Sequence, residues 1–147
     1  MNLELRNRPS VLAAAACALL LAPLLAFGEQ ATFEVTLSGP EASGDPDGRG
    51  EATVTMNPET NEVEVRLSYS NIAPPTALHI REGAVGSEGN VVVPIVIESN
   101  EDGTLVGRRK SAKPNIIATI AASPEKYYLV VLNREYPVGA LRGQIRK

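Results

Sequence analysis

Apolar and polar residues alternate at every second position in several segments after residue 30. The segments that alternate in this way are 32–38, 51–57 and 62–69. In the first of them Phe33, Val35 and Leu37 share one face, which is typical of a half-buried β-strand. The short turn at 58–61 predicts that the second and third segments form a hairpin.

The second half of the chain carries further strand patterns. Segment 91–97 is almost continuously apolar, which predicts a central strand, but Pro94 inside it requires an edge position, a bulge or a bend. Segment 115–122 fits a strand or a helix by pattern, and Pro114 with the alanines favours one or two helical turns. The remaining predicted strands are 77–80, 104–110, 127–132 and 141–145.

Turn-forming residues separate these segments. Residues 39–50 are rich in Gly, Pro, Asp and Ser and predict a long exposed loop, while 99–103 predicts a turn. About eight short strands with one short helix are typical of an all-β fold. We expect a Greek-key β-sandwich or a flattened barrel.

The N-terminal segment has the pattern of an export signal. Arg6 and Arg8 precede an uncharged apolar run over 11–27, and Ala26-Phe-Gly28 is a small-x-small cleavage site. This predicts a signal peptide at 1–28, a β-domain at 29–147, and a periplasmic or secreted protein. Two alternatives stay open, an uncleaved membrane anchor and a lipid on Cys17, and only these would place the protein at a membrane.

Composition narrows the function classes. The 147-residue chain has one Cys, one His, no Trp and a net charge of −3, which argues against nucleic acid as the partner. Because Cys17 lies in the predicted signal, the mature domain would have no disulfide and no thiol chemistry.

Three segments together resemble a known family. They are Thr76-Ala-Leu-His-Ile-Arg-Glu-Gly83, Tyr127-Tyr-Leu-Val-Val-Leu-Asn133 and Gly139-Ala-Leu-Arg-Gly-Gln-Ile145. They resemble the CHRD domain, a secreted β-domain common in bacterial exported proteins, over about residues 32–146. That family typically shows His-Ile-His-x-Gly, Tyr-Val-Asn-Val-His-Thr and Gly-Glu-Leu-Arg-Gly-Gln-Ile.

The resemblance also defines what this chain has lost. His79 matches the first family histidine, but Arg81 and Leu132 stand at the other two histidine positions, and Ala140 replaces the family Glu. The family's His-x-His is similar to that of copper-zinc superoxide dismutases, and convergent imidazoles would bind such metals. Because one imidazole cannot, we expect no metal and no cofactor. The alternative is a metal-dependent, dismutase-like oxidoreductase with a degenerate site.

Other chemistry has weak support in the sequence. The acidic segment 45–51 lacks the ligand count of a calcium loop and reads as an exposed turn. No Gly-x-Ser-x-Gly and no phosphate loop is present, and His79 is the one conventional base, so we expect no catalytic residues and no enzyme.

Candidate binding residues are few. Arg108, Arg109 and Lys110 form a basic cluster that suits an acidic polysaccharide, a lipid phosphate or an acidic protein face, or else a solvated strand end. His79 and Arg81 are weak candidates for ligand or partner binding, and the simpler interpretation is that His79 packs or hydrogen-bonds at the end of the sheet.

The final motif is interpreted as structural. In the family that this chain resembles, the Arg-Gly-Gln strand closes the sheet. We expect Arg142 to bond across to a carboxylate or to loop carbonyls, and Gly143 to permit close backbone approach. The chain as a whole is interpreted as an exported non-catalytic binding or structural module of the envelope or extracellular space. Its expected partner is an unidentified protein or polysaccharide.

Overall fold

A computed structural model describes residues 29–147. The predicted signal peptide, with Cys17, lies outside the described residues. The strands are β1 (Ala31–Ser38), β2 (Arg49–Asn57), β3 (Glu62–Ser70), β4 (Ala77–Glu82), β5 (Val91–Glu101), β6 (Thr104–Lys110), β7 (Tyr127–Leu132) and β8 (Leu141–Gln144). The helices are α1 (Gly39–Ala42) and α2 (Ile116–Ala122), followed by a 3-10 turn at Pro124–Lys126. Within this described range, no helix combines the length and the apolar character needed to cross a membrane.

The eight strands form a closed antiparallel barrel in the order β1-β2-β3-β6-β5-β4-β7-β8. The predicted all-β fold of about eight strands is therefore confirmed, as a barrel. The alternation of apolar and polar residues gives each of these strands an apolar inner face. Residues such as Val35, Val54 and Val65 point inward and are almost completely buried, which stabilises the barrel. Ile117 and Ile120 of α2 join the same core, and the predicted helical turns are confirmed.

Two local predictions about β5 are resolved by its pairing. The expected turn at 99–103 was too long, since β5 continues to Glu101. Asp102 and Gly103 take φ values of 50° and 75°, so two residues suffice for the tight hairpin turn. Pro94 pairs with His79 of β4, whereas pairing with β6 begins only at Val96. Among the described strands, β5 is therefore unpaired on its β6 side at the proline.

The prediction of a long exposed loop at 39–50 was wrong. Ser38 caps α1 by accepting a hydrogen bond from the Glu41 amide at 3.4 Å, and Pro40 occupies the first turn, where its missing N–H costs nothing. The chain then returns to the barrel with Asp45 and Gly48 buried. This segment lies beside β8, where it helps to cover the outside of the barrel.

Candidate functional site

The outward side chains of β4, β7 and β8 form an unusual surface, which we call the covered face. Its members are Ala77, His79, Arg81, Tyr128, Val130, Leu132, Arg142 and Gln144. Outward side chains of a filled barrel normally meet water, yet Tyr128, Val130 and Arg142 are only 2%, 3% and 6% exposed. Three segments cover them, namely α1 with its following turn, the 83–89 loop, and the 133–140 segment between β7 and β8.

Arg142 is the central polar residue of the covered face. Its guanidinium lies 3.6 Å above the ring centroid of Tyr128, a cation–π stack. Nη1 donates to the Ser87 carbonyl at 2.6 Å and Nη2 to the Ala84 carbonyl at 2.8 Å. Arg142 therefore fastens the 83–89 loop to the barrel wall through neutral carbonyl groups.

Gln144 fastens the start of the same loop. Its Nε2 approaches three carbonyls, those of Gly83, Glu125 and Tyr127, at 2.7 to 2.9 Å. Its Oε1 is buried without a hydrogen-bond partner among the described residues. The Nε2 group of Gln144 thus holds the backbone of residues 83, 125 and 127 together.

The far end of the loop is held by Tyr128. The phenol oxygen accepts a hydrogen bond from the Gly89 amide at 3.1 Å. A Cβ on Gly89 would collide with the Glu82 carbonyl, so no larger residue fits there. Gly83 and Gly86 have positive φ, which glycine adopts readily, whereas Gly89 is needed for its small size.

His79 lies within β4, between Pro94 of β5 and Val130 of β7, and not at the end of the sheet as expected. Its Nδ1 is buried and has no hydrogen-bond partner among residues 29–147. Burial, and secondarily the charge of Arg81, hold the pKa of His79 below its ordinary value. The imidazole is therefore neutral at neutral pH.

A cavity of about 310 Å³ opens between α1 and the 83–89 loop. Its lining residues are Pro40, Glu41, Ala42, Ser43, Val85, Gly86, Glu88, Arg142 and Gln144. A smaller recess beyond it is shared by Arg81, Glu88, Val138 and Arg142. Arg142 and Glu88 thus border both spaces, and the cavity brings one buried cation together with exposed carboxylates.

The comparison with family models agrees with this architecture. A model described as the CHRD domain matches residues 33–145, most of the chain and all of the covered face. The chain belongs to the CHRD domain family. Neither the curated proteins nor the solved structures produced a match.

The three histidine positions of the CHRD pattern lie on the covered face. Arg81 is two residues from His79 on β4, and Leu132 pairs with Ala77 on the neighbouring β7. The outward side chains at these positions are a guanidinium, an imidazole and an isobutyl group. Among the described residues no group of three or more His, Cys, Asp or Glu side chains lies together in a metal-binding arrangement.

The predicted basic cluster lies elsewhere on the barrel, since β5 separates β6 from β4. Arg108 bridges Glu64 at 2.6 Å and Glu98 at 3.0 Å. These contacts lower the pKa of Glu64 and raise that of Arg108, the hydrogen bond between the two being the main cause. Arg109 and Lys110 line the same shallow groove as Glu62. Arg108 is therefore paired with carboxylates, and the cluster does not come together with His79 and Arg81.

The acidic segment 45–51 is also not the plain exposed turn that was expected. Asp45 is 9% exposed, and burial together with Asp47 raises its pKa. Its amide is tied to the Ala140 carbonyl, which joins the segment to the start of β8.

Sequence reasoning missed Tyr128, Glu41 and Glu88 as residues of the site. Tyr128 was assigned only to a strand, although its register with Gln144 puts it on the outer face. Glu41 lies in a segment that was predicted to be a loop, although Ser38 followed by Pro40 is a signal for the start of a helix. Glu88 lines the same two spaces as Arg142, and nothing in the sequence places it there.

Proposed function

We propose that this CHRD domain is an exported, non-catalytic binding module of the cell envelope or extracellular space, and that it recognises its partner through the covered face. The observation that carries the proposal is that Arg142 is buried beside a cavity without a carboxylate partner among the described residues. It is 6% exposed, it borders a 310 Å³ cavity, and no ion pair joins it to a carboxylate within residues 29–147. Buried cations are rarely left without a counter-charge, so an adjoining open cavity is the natural place for one.

The non-catalytic part of the proposal is supported by how the polar groups are used. The side-chain nitrogens of Arg142 and Gln144 lie within hydrogen-bond distance of five backbone carbonyls. Groups engaged in this way order loops and build a rigid surface, which suits recognition better than bond making. Elemental analysis of the untagged protein tests the rival metal enzyme, and we expect no stoichiometric copper or zinc. A 1:1 metal that survives dialysis and disappears in His79→Ala would contradict the proposal.

The export part is supported by the N-terminal pattern described above. We expect N-terminal sequencing of the exported protein to begin at Glu29. A product that retains residues 1–28, or an intact mass that includes a lipid on Cys17, would contradict this.

The binding site is tested with a matched pair of exposed valines. Val85 lines the cavity and is 64% exposed, while Val96 on β5 is 55% exposed and lies outside it. The exported protein, cross-linked in the envelope, should capture its partner as wild type and as Val96→Trp. Val85→Trp should lose capture because the indole fills the cavity entrance. Equal capture by the two variants would show that the cavity is not the site.

A further inference from the structure

We infer that the cavity beside Arg142 binds a small zwitterion of amino-acid type, whose carboxylate meets Arg142 and whose cationic group meets Glu41 and Glu88. This inference rests on the proposed function, because it assumes that the covered face is a binding face. It adds the chemical class of the ligand, which follows from charge, geometry and volume.

The guanidinium of Arg142 is held in place by uncharged partners. It carries five N–H donors, and two of its nitrogens already donate to the carbonyls of Ala84 and Ser87. These carbonyls fix its plane against Tyr128 but carry no net charge. A carboxylate is the group that a fixed, planar guanidinium binds best, since it offers two oxygens in matching geometry.

The rim of the cavity carries two carboxylates. Glu41 on α1 and Glu88 on the 83–89 loop line the same space as Arg142, both are exposed, and neither takes part in an ion pair among the described residues. One cation beside two carboxylates disfavours a phosphate or a sulfate through like-charge repulsion. A ligand that carries both signs satisfies all three groups.

The cavity is small and partly apolar. A volume of about 310 Å³ lies at the small end of ligand pockets, which span roughly 300–1,000 Å³. Pro40, Ala42 and Val85 provide apolar surface in the same cavity. A single amino acid with an aliphatic side chain matches both properties.

Three probes separate the contributions of charge. L-valine carries both charges, isobutyrate carries the carboxylate alone, and valinamide carries the ammonium alone. Each is titrated into the exported, ¹⁵N-labelled protein while amide resonances are followed. We expect L-valine to shift the amides of Ala84, Ser87 and Gly89 saturably. Isobutyrate should bind about tenfold more weakly, a change worth about 1.4 kcal/mol, and valinamide should leave these amides unmoved.

A pair of matched variants tests the rim without disturbing the Arg142 contacts. Glu88→Gln should reduce valine affinity part of the way to that of isobutyrate, because it removes one of the two rim carboxylates and leaves Glu41 and the hydrogen bonds of Arg142 in place. Glu64→Gln makes the same change of charge on the opposite side of the barrel and should leave valine affinity unaltered.

The outcomes also separate this inference from the proposed function. If valine and isobutyrate bind equally and Glu88→Gln has no effect, the site takes any carboxylate and the zwitterion inference is wrong. If no probe shifts the loop while Val85→Trp still abolishes capture, the inference fails and the proposed function survives. If neither the probes nor Val85→Trp has an effect, both are wrong.

Discussion

The barrel has two outer faces that are built on opposite principles. The outward side chains of β1, β2, β3 and β6, which we call the open face, are mostly polar and solvated. They pair across strands, as in Thr36 with Glu51 at 2.9 Å and Thr53 with Glu34 at 3.1 Å. On the covered face the outward side chains of β7 and β8 are buried, and those of β4 are half-buried. The side chains of Arg142 and Gln144 donate there to backbone carbonyls instead.

Within the described part of the chain, the two faces differ in that only the covered face carries a second buried layer. The interior core already fills the barrel, so a second buried layer on one outer face is not required to close it. That layer desolvates an arginine and a glutamine, which costs free energy unless both are well bonded. What it produces is a fixed loop above a cavity, and for this reason we propose that the binding role belongs to the covered face.

The largest difference between the faces should come from Tyr128→Ala. This change removes a side chain that is 2% exposed, the platform under Arg142 and the acceptor for the Gly89 amide. We expect it to lower the free energy of unfolding by about 3 kcal/mol, as for other buried aromatic residues. Urea denaturation measures it.

Its control is Thr53→Ala on the open face, which should change stability by less than about 0.5 kcal/mol. Tyr128→Phe removes only the phenol and should cost about 1 kcal/mol. Similar losses for Tyr128→Ala and Thr53→Ala would mean that the covered layer adds no packing energy.

A pair of arginines sharpens the comparison. Arg142→Ala should cost on the order of 1–3 kcal/mol, because the loop carbonyls of Ala84 and Ser87 lose charge-assisted partners. Arg66→Ala, whose side chain is 60% exposed, should cost less than about 0.5 kcal/mol. Denaturant unfolding of both variants measures the two losses of stability. If Arg142→Ala leaves stability untouched and only abolishes partner capture, its role is recognition alone.

The open face could be predicted from sequence more completely than the covered one. Alternation in segments such as 51–57 defines both which residues point inward and which meet water, since the period of a strand is two. The same rule puts Leu141, Gly143 and Ile145 on one face, and in the structure Leu141 and Ile145 belong to the interior core.

The covered face could not be predicted because it depends on loops that are distant in sequence. Arg142 lies 55 residues from Ser87, and the bond between them carries no local signal. A strand with both faces buried, such as β7, also has no alternation to read. His79 shows the consequence, since it was expected at a sheet end and lies within β4.

His79→Ala is expected to have a smaller effect, of about 1 kcal/mol or below at neutral pH. The sign of its pH dependence is set by the lowered pKa of His79. The folded state disfavours the charged imidazole, so stability is full above the unfolded pKa near 6.5 and declines as pH falls toward the lower folded pKa. Urea unfolding at pH 7.5 and pH 5 should show this decline in wild type and less of it in His79→Ala. An identical decline in the variant would assign it to other groups.

The smallest effect should come from the ion pair of Glu64 and Arg108 on the open face. Its 2.6 Å contact is short, but the side chains are 25% and 51% exposed, so water and salt screen the charges. A double-mutant cycle of Glu64→Gln and Arg108→Ala should give a coupling of about 0.2–1 kcal/mol.

Because the pKa of Glu64 is lowered, this contribution is present above the usual glutamate pKa and is lost as pH falls through the folded value. In 1 M salt, where the Debye length is about 3 Å, the coupling should fall toward zero, whereas the cost of Arg142→Ala should barely change. A salt-resistant Glu64–Arg108 coupling would mean that the open face holds its charges as tightly as the covered face, and the contrast between the two would lose its basis.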